Sequence, residues 1–284
     1  MPWSPALTPA YLPVSGVRTR YLAAGDGPPL VLLHGIGRSL EDWSESVAPL
    51  SRHHRVYAPD LIGFGYTDKP DVPYSLPGLA RFVAHFLDAV HEARPATLIG
   101  NSLGGAVAQR FAVQYPRRCR ALVLVGSAGF GREVALGLRA LTVPGLGERL
   151  LRPGRRNAER VVRALFHDPR FVTDARIRLA QDLAAQPGAA RAFLTVLRSL
   201  GTWHGVRRAW RDELARRLAA HDLPTLIVWG ERDRIVPARH LSAARRLYPR
   251  ARAHLFPATG HLPQVERASA FSDLISDFLE EHRL

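Results

Sequence analysis

A serine with a glycine two residues away on either side, Gly100-Asn101-Ser102-Leu103-Gly104, restricts this chain to few folds. Residues 96–99 before it form an apolar run that reads as a strand, and residues 106–112 after it read as a helix. A turn that reverses so tightly from strand to helix strains its central residue and leaves no room for side chains at the flanking positions. It also lifts the Ser102 hydroxyl clear of the sheet, above a helix N-terminus that favours developing negative charge. A plain alternative is that Ser102 only caps the helix.

A serine hydroxyl becomes a nucleophile when a base takes its proton and an acid orients that base. Near the C-terminal end, residues 225–229 form a short apolar strand followed by Gly230-Glu231-Arg232-Asp233. A second short strand, residues 253–256, leads into Pro257-Ala258-Thr259-Gly260-His261. Each strand delivers one candidate onto the loop at its carboxyl end, in the order Ser102, Asp233, His261. Upstream, His34-Gly35-Ile36-Gly37 follows the buried-looking run 30–33. That loop can aim the Ile36 N–H at a substrate oxygen, with the Leu103 N–H as the second donor.

With Asp60-Leu61-Ile62-Gly63-Phe64-Gly65-Tyr66-Thr67 added, these motifs make the chain resemble an α/β-hydrolase fold protein with a helical cap, from about Val17 onward. Thr67 stands where that family commonly has serine. The resemblance implies that Asp233 rather than Glu231 is the acid, that Glu231 is a surface charge, and that His34 buttresses the oxyanion loop. Fold relatives such as haloalkane dehalogenases and epoxide hydrolases carry aspartate at the elbow, so Ser102 points instead to acyl transfer to water.

Strands are expected at residues 18–23, 30–33, 55–58, 97–99, 121–125, 226–229 and 253–256, with helices at 79–91, 103–114, 239–247 and 268–280. The central strands are unbroken apolar runs, as a sheet covered on both faces requires. The fold class expected is α/β, with a mostly parallel, doubly wound sheet and an inserted helical cap. Residues 1–129 and 222–284 would form the core and 130–221 the cap. The latter interval breaks the strand–helix rhythm with Pro144-Gly145, Pro153-Gly154 and Pro187-Gly188, and contains no convincing strand. Of its apolar residues, such as Leu136, Leu138, Leu146, Phe166, Leu197 and Trp203, most are expected to pack helix against core and a minority to line the pocket.

A chain of 284 residues, 46% hydrophobic, can bury a substantial core. No apolar run approaches the roughly 18 residues of a membrane span. The first residues show no secretory signal, and the expected location is cytoplasmic. Cys119 is the only cysteine and reads as a structural thiol, although Arg118 and Arg120 beside it are of the kind that lower a thiol pKa. The formal charge of +14 comes almost wholly from arginine, Lys69 being the only lysine. Between Gly131 and Ala220, 18 arginines against eight acidic residues supply +10 of it. No zinc-finger spacing, aromatic RNA-binding pattern or helix-turn-helix accompanies them, so nucleic acid is not an expected partner. A basic cap can steer anionic substrates or make weak contact with anionic lipid. A solvated arginine-rich surface is the preferred reading.

The expected function is hydrolysis of a small-molecule carboxylic ester through an acyl-enzyme, with Ser102, His261 and Asp233 as triad and Ile36 and Leu103 as oxyanion donors. No cofactor and no metal is called for; H-E-x-x-H and paired cysteines are both missing. One alternative is a carbon–carbon bond hydrolase of ring-cleavage products, which Asn101, Trp43 and the helical cap resemble. Leu262, where those enzymes carry tryptophan, and Glu45, where an asparagine often lines the site, depart from that pattern. The other alternative is a ligand-binding member of the fold without activity.

Overall fold

The computed structural model describes residues 8–219 and 222–284. Eight strands form the main sheet: β1 (Ala10–Val14), β2 (Val17–Ala24), β3 (Pro29–Leu33), β4 (Arg55–Pro59), β5 (Ala96–Asn101), β6 (Cys119–Val125), and later β9 (Thr225–Gly230) and β10 (Arg252–Phe256). Their order is β1-β2-β4-β3-β5-β6-β9-β10. The β1–β2 and β2–β4 pairs are antiparallel, and every other pairing is parallel.

Alternation along the central strands feeds two apolar layers. Val31 and Leu33 of β3, Leu122 and Leu124 of β6, and Ile227 and Trp229 of β9 join one layer. Leu30, Leu32, Val123, Val125, Leu226 and Val228 join the other. Both faces are therefore dry, which is why these strands read as continuous apolar runs rather than alternating ones.

Helix α1 (Ser44–Leu50) and, at the end of the chain, α12 (Ala268–Glu281) cover one face with Val47, Phe271, Ile275 and Phe278. On the other face lie α2 (Leu76–Ala89) and α3 (Leu103–Gln114), through Leu79, Val83, Phe86, Val107 and Phe111. Helix α2 starts three residues before the sequence expectation because Ser75 caps it, its side chain accepting the Gly78 N–H at 3.2 Å. The sequence gives no warning of β1: it is an edge strand, largely exposed, and carries Pro13, which only an edge tolerates.

Between β6 and β9 run six helices: α4 (Leu136–Leu141), α5 (Leu146–Leu150), α6 (Arg155–Leu165), α7 (Asp174–Ala185), α8 (Ala189–Leu200) and α9 (Arg208–Ala219). This is the helical cap. It also holds one feature not expected, a two-stranded ribbon of β7 (Gly201–Thr202) and β8 (Gly205–Val206). Two residues per strand are too few to leave a periodicity in the sequence. Of the ambiguous apolar residues here, Phe166 and Leu197 are buried, while Leu136, Leu146 and Trp203 are exposed. Two helices complete the frame, α10 (His240–Leu247) and α11 (Pro263–Glu266).

Candidate active site

Register decides what meets at the carboxyl edge of the sheet. Leu33 lies opposite Gly100, Asn101 opposite Val125, Val125 opposite Val228, and Gly230 opposite Phe256. The loops that follow β3, β5, β9 and β10 therefore open on one side, where open α/β sheets bind their ligands. They carry His34 to Gly37, Ser102, Asp233 and His261 respectively.

Ser102 adopts φ 55° and ψ −112°, a conformation rarely held by a non-glycine residue. The strain is held by backbone bonds: Ser102 N–H donates to Val125 O at 2.9 Å, and Ser102 O accepts from Ala128 at 3.1 Å. The glycines of the motif are explained by contact. A Cβ on Gly100 would lie 2.3 Å from the backbone of Gly104, and one on Gly104 would lie 2.1 Å from Leu33 O. Although Ser102 stands at the N-cap position of α3, its side chain caps nothing. The hydroxyl has no hydrogen-bond partner among the described residues, which removes the capping alternative.

His261 and Asp233 are joined, Nδ1 to Oδ2, at 2.7 Å, and both side chains are buried. The other carboxylate oxygen of Asp233 accepts the Ile235 and Val236 N–H groups at 2.8 and 2.9 Å. With Nδ1–H committed to Asp233, the remaining ring nitrogen of His261 is the basic one. Asn101, next to the serine, donates from Nδ2 to the carbonyls of both Val125 and His261 at 3.1 Å. It thus braces the elbow against the histidine loop, a link that residue order alone does not reveal.

Ile36, Ser102 and Leu103 line one cavity, together with Ala128, Leu138, Leu197, Leu200, Trp210 and Val236 among others. Its walls are almost wholly apolar, and Arg139 is the one charged residue among those lining it. Neither the Ile36 nor the Leu103 N–H donates to any group among the described residues, so both are free to meet an incoming oxygen.

His34 lies behind this loop and is fully buried. Its Nδ1 faces Gly35 O at 2.8 Å and its Nε2 accepts the Leu61 N–H at 3.0 Å. Both nitrogens are spent on backbone, and burial pushes its pKa below the usual histidine value. It braces the loop and has no free position for proton transfer. Asp60 holds the neighbouring segment, accepting from Leu40 N–H at 2.7 Å and Tyr66 N–H at 2.8 Å. Thr67 supplies the hydroxyl expected of serine, donating to Asp60 O at 2.9 Å and accepting from Arg20 N–H at 2.9 Å. The extra methyl changes nothing in that pattern.

Glu231 is exposed, as expected of a surface charge, yet its carboxylate also accepts the Ala258 N–H at 3.1 Å. It pins the loop before His261. Glu45 pairs with Arg176 of α7 at 3.0 Å and so ties α1 to the cap. Cys119 is buried, and burial pushes its thiol up to about 12, opposite to the effect of flanking arginines in an open site. Among the described residues, no group of three His, Cys, Asp or Glu side chains is placed to hold a metal ion.

A family model described as alpha/beta hydrolase fold matches residues 28–268. The chain is 33% identical to a 2-hydroxy-6-oxo-2,4-heptadienoate hydrolase of Pseudomonas putida, over 93% of each chain. A variant of the meta-cleavage product hydrolase from Pseudomonas fluorescens superposes with a TM-score of 0.79 at 29% identity, covering 96% of this chain and 97% of that one. A bacterial membrane phospholipase A superposes with a TM-score of 0.80 at 26% identity, covering 98% and 87%. By the strained serine turn, the strand-end loops around it and this match over most of its length, the chain belongs to the α/β-hydrolase fold family of enzymes.

Proposed function

We propose that this enzyme hydrolyses the carbon–carbon bond of a vinylogous 1,5-diketone carrying a carboxylate, with Ser102, His261 and Asp233 as its triad. The observation that carries this reading is the end-to-end likeness, at 33% identity, to a hydrolase named for such a compound. The site supports the chemistry. Ser102 Oγ gives its proton to His261 and bonds to the carbonyl carbon, while the oxyanion takes the Ile36 and Leu103 N–H groups. The tetrahedral adduct then breaks its carbon–carbon bond. The electron pair leaves as an enolate conjugated with the second carbonyl, and His261 returns the proton to it. Water, deprotonated by the same histidine, releases the acyl group as a carboxylic acid and restores Ser102. Arg139 lines this almost wholly apolar cavity through its aliphatic stem, its Nε donating to Trp203 O at 2.6 Å.

Ester hydrolysis, the reading preferred from sequence, becomes the second. It uses the same attack with an alkoxide leaving group, and the nearly unbroken apolar lining favours it. Leu262 and Glu45 speak for it too, one buried in an apolar cluster and the other spent on Arg176. Both substrates should be run side by side: a dienoate diketone, followed by loss of its absorbance, and p-nitrophenyl esters of graded chain length. The proposal expects the higher kcat/KM for the diketone. Ester turnover without diketone turnover would reverse the order of the two readings.

A further inference from the structure

Glu266 lies five residues beyond His261 and is 8% exposed, and no cation pairs with it among the described residues. A buried carboxylate is costly unless its oxygens are fully hydrogen-bonded. Here backbone meets that need. Oε1 accepts from His167 N–H and Asp168 N–H, each at 2.8 Å, and Oε2 accepts from Gly260 N–H. The first two donors follow the end of α6, in the cap. The third precedes His261.

The two segments so joined touch at other points. His261 N–H donates to Leu165 O at 2.8 Å. A Cβ on Gly260 would come within 2.5 Å of Leu165 O and 2.7 Å of His167 N, so the chains run in close contact. Leu262 and Val265 pack with Val162, Leu165, Phe166 and Ile177 in an apolar cluster separate from the main core. This end of the cap is bonded to the histidine loop.

We propose that Glu266 is a positioning residue: by stapling the Leu165–Asp168 backbone of the cap to Gly260, it sets the position from which His261 reaches Ser102. Asp233 holds the ring of His261 and Asn101 its carbonyl. Glu266 holds the peptide just before it, and no neutral side chain of that size can replace it. Glutamine has a single acceptor oxygen for three donors, and its amide N–H groups would face backbone N–H groups. The inference rests on His261 being the base.

Glu266→Gln, Glu266→Asp and Ser102→Ala should be compared with the unaltered enzyme in three measurements. These are steady-state kinetics on whichever substrate proves active, the rate of Ser102 labelling by a fluorophosphonate, and amide hydrogen exchange at residues 165–168 and 260–261. Glu266→Gln should lower kcat on the order of a hundredfold, since a small misplacement of a reacting group has that effect, with KM little changed. Labelling should slow in parallel and the His167, Asp168 and Gly260 amides should lose protection. Glu266→Asp, which keeps the charge on a shorter arm, should recover part of kcat, and it serves as the test if the glutamine variant does not fold. Lost protection with unchanged kcat and labelling would reduce Glu266 to a structural clamp and overturn the proposal, as would unchanged protection. If Ser102→Ala leaves turnover and labelling intact, the nucleophile assignment fails instead, and with it the role of His261 as the base that activates Ser102, so the proposal falls for that separate reason.

Discussion

Ser102 combines a backbone conformation of positive φ with a hydroxyl that bonds to nothing among the described residues. Strain of that kind costs on the order of 1–3 kcal/mol and persists only where the surroundings impose it. Because the side chain contributes no bond to the fold, Ser102→Ala should lower kcat by several orders of magnitude and leave the thermal midpoint where it was. A variant with near-normal turnover would remove Ser102 from the mechanism; a large drop in midpoint would mean that the hydroxyl has a structural partner. His34 makes the opposite case, a histidine spent wholly on backbone. Burial lowers its pKa, so the folded protein keeps the ring neutral below pH 6.5 while the unfolded chain takes up the proton near that value. Its contribution to stability is therefore complete above about pH 6.5 and is lost as pH falls from there through the folded value. Histidine ring NMR should show it as the Nδ1–H tautomer with no titration near 6.5. A normal titration would contradict its role as a brace.

At the scale of elements, the candidate site is made by the way β5 feeds α3 directly beneath the His34–Gly37 loop. Gly104 is the tightest of the three glycines at this junction, with no space between its α-carbon and Leu33 O for a methyl group. Gly104→Ala should destabilise the protein by about 1–3 kcal/mol, the usual cost of overpacking, as read by urea unfolding. Unaltered stability would mean that helix and loop are not packed this closely. The same geometry explains what could be read in advance. Strands covered on both faces announce themselves as apolar runs, and the loops after them carry the rare residues, so Ser102, Asp233 and His261 stand out in the sequence. An exposed edge strand with a proline, such as β1, leaves no such pattern. Asn101 and Glu266 act through backbone groups distant in sequence, 160 residues away for Asn101 and His261 and 98 for Glu266 and Asp168. Nothing local marks a side chain whose partners are main-chain atoms of another element.

Over the whole molecule, the arginine surplus falls on the cap, and the structure distributes it among ion pairs. Arg163 pairs with Glu159, Arg198 with Glu148, and Arg155, the first residue of α6, with Asp174. Such pairs leave the net +10 of the cap in place, and a field of that sign acts on charged solutes before they bind. For a carboxylate-bearing diketone, kcat/KM should fall as salt shortens the Debye length from about 30 Å to about 10 Å, while a neutral ester of similar size should respond little. Parallel salt profiles would mean that the cap charge is a solvated surface without influence on encounter. The proposed reaction turns on a covalent step at one side chain. Turnover of the diketone should be quenched with acid within the first cycles and the peptide containing Ser102 weighed by mass spectrometry. An acyl half of the substrate on Ser102 is the result expected; product formation with Ser102 unmodified throughout would contradict it.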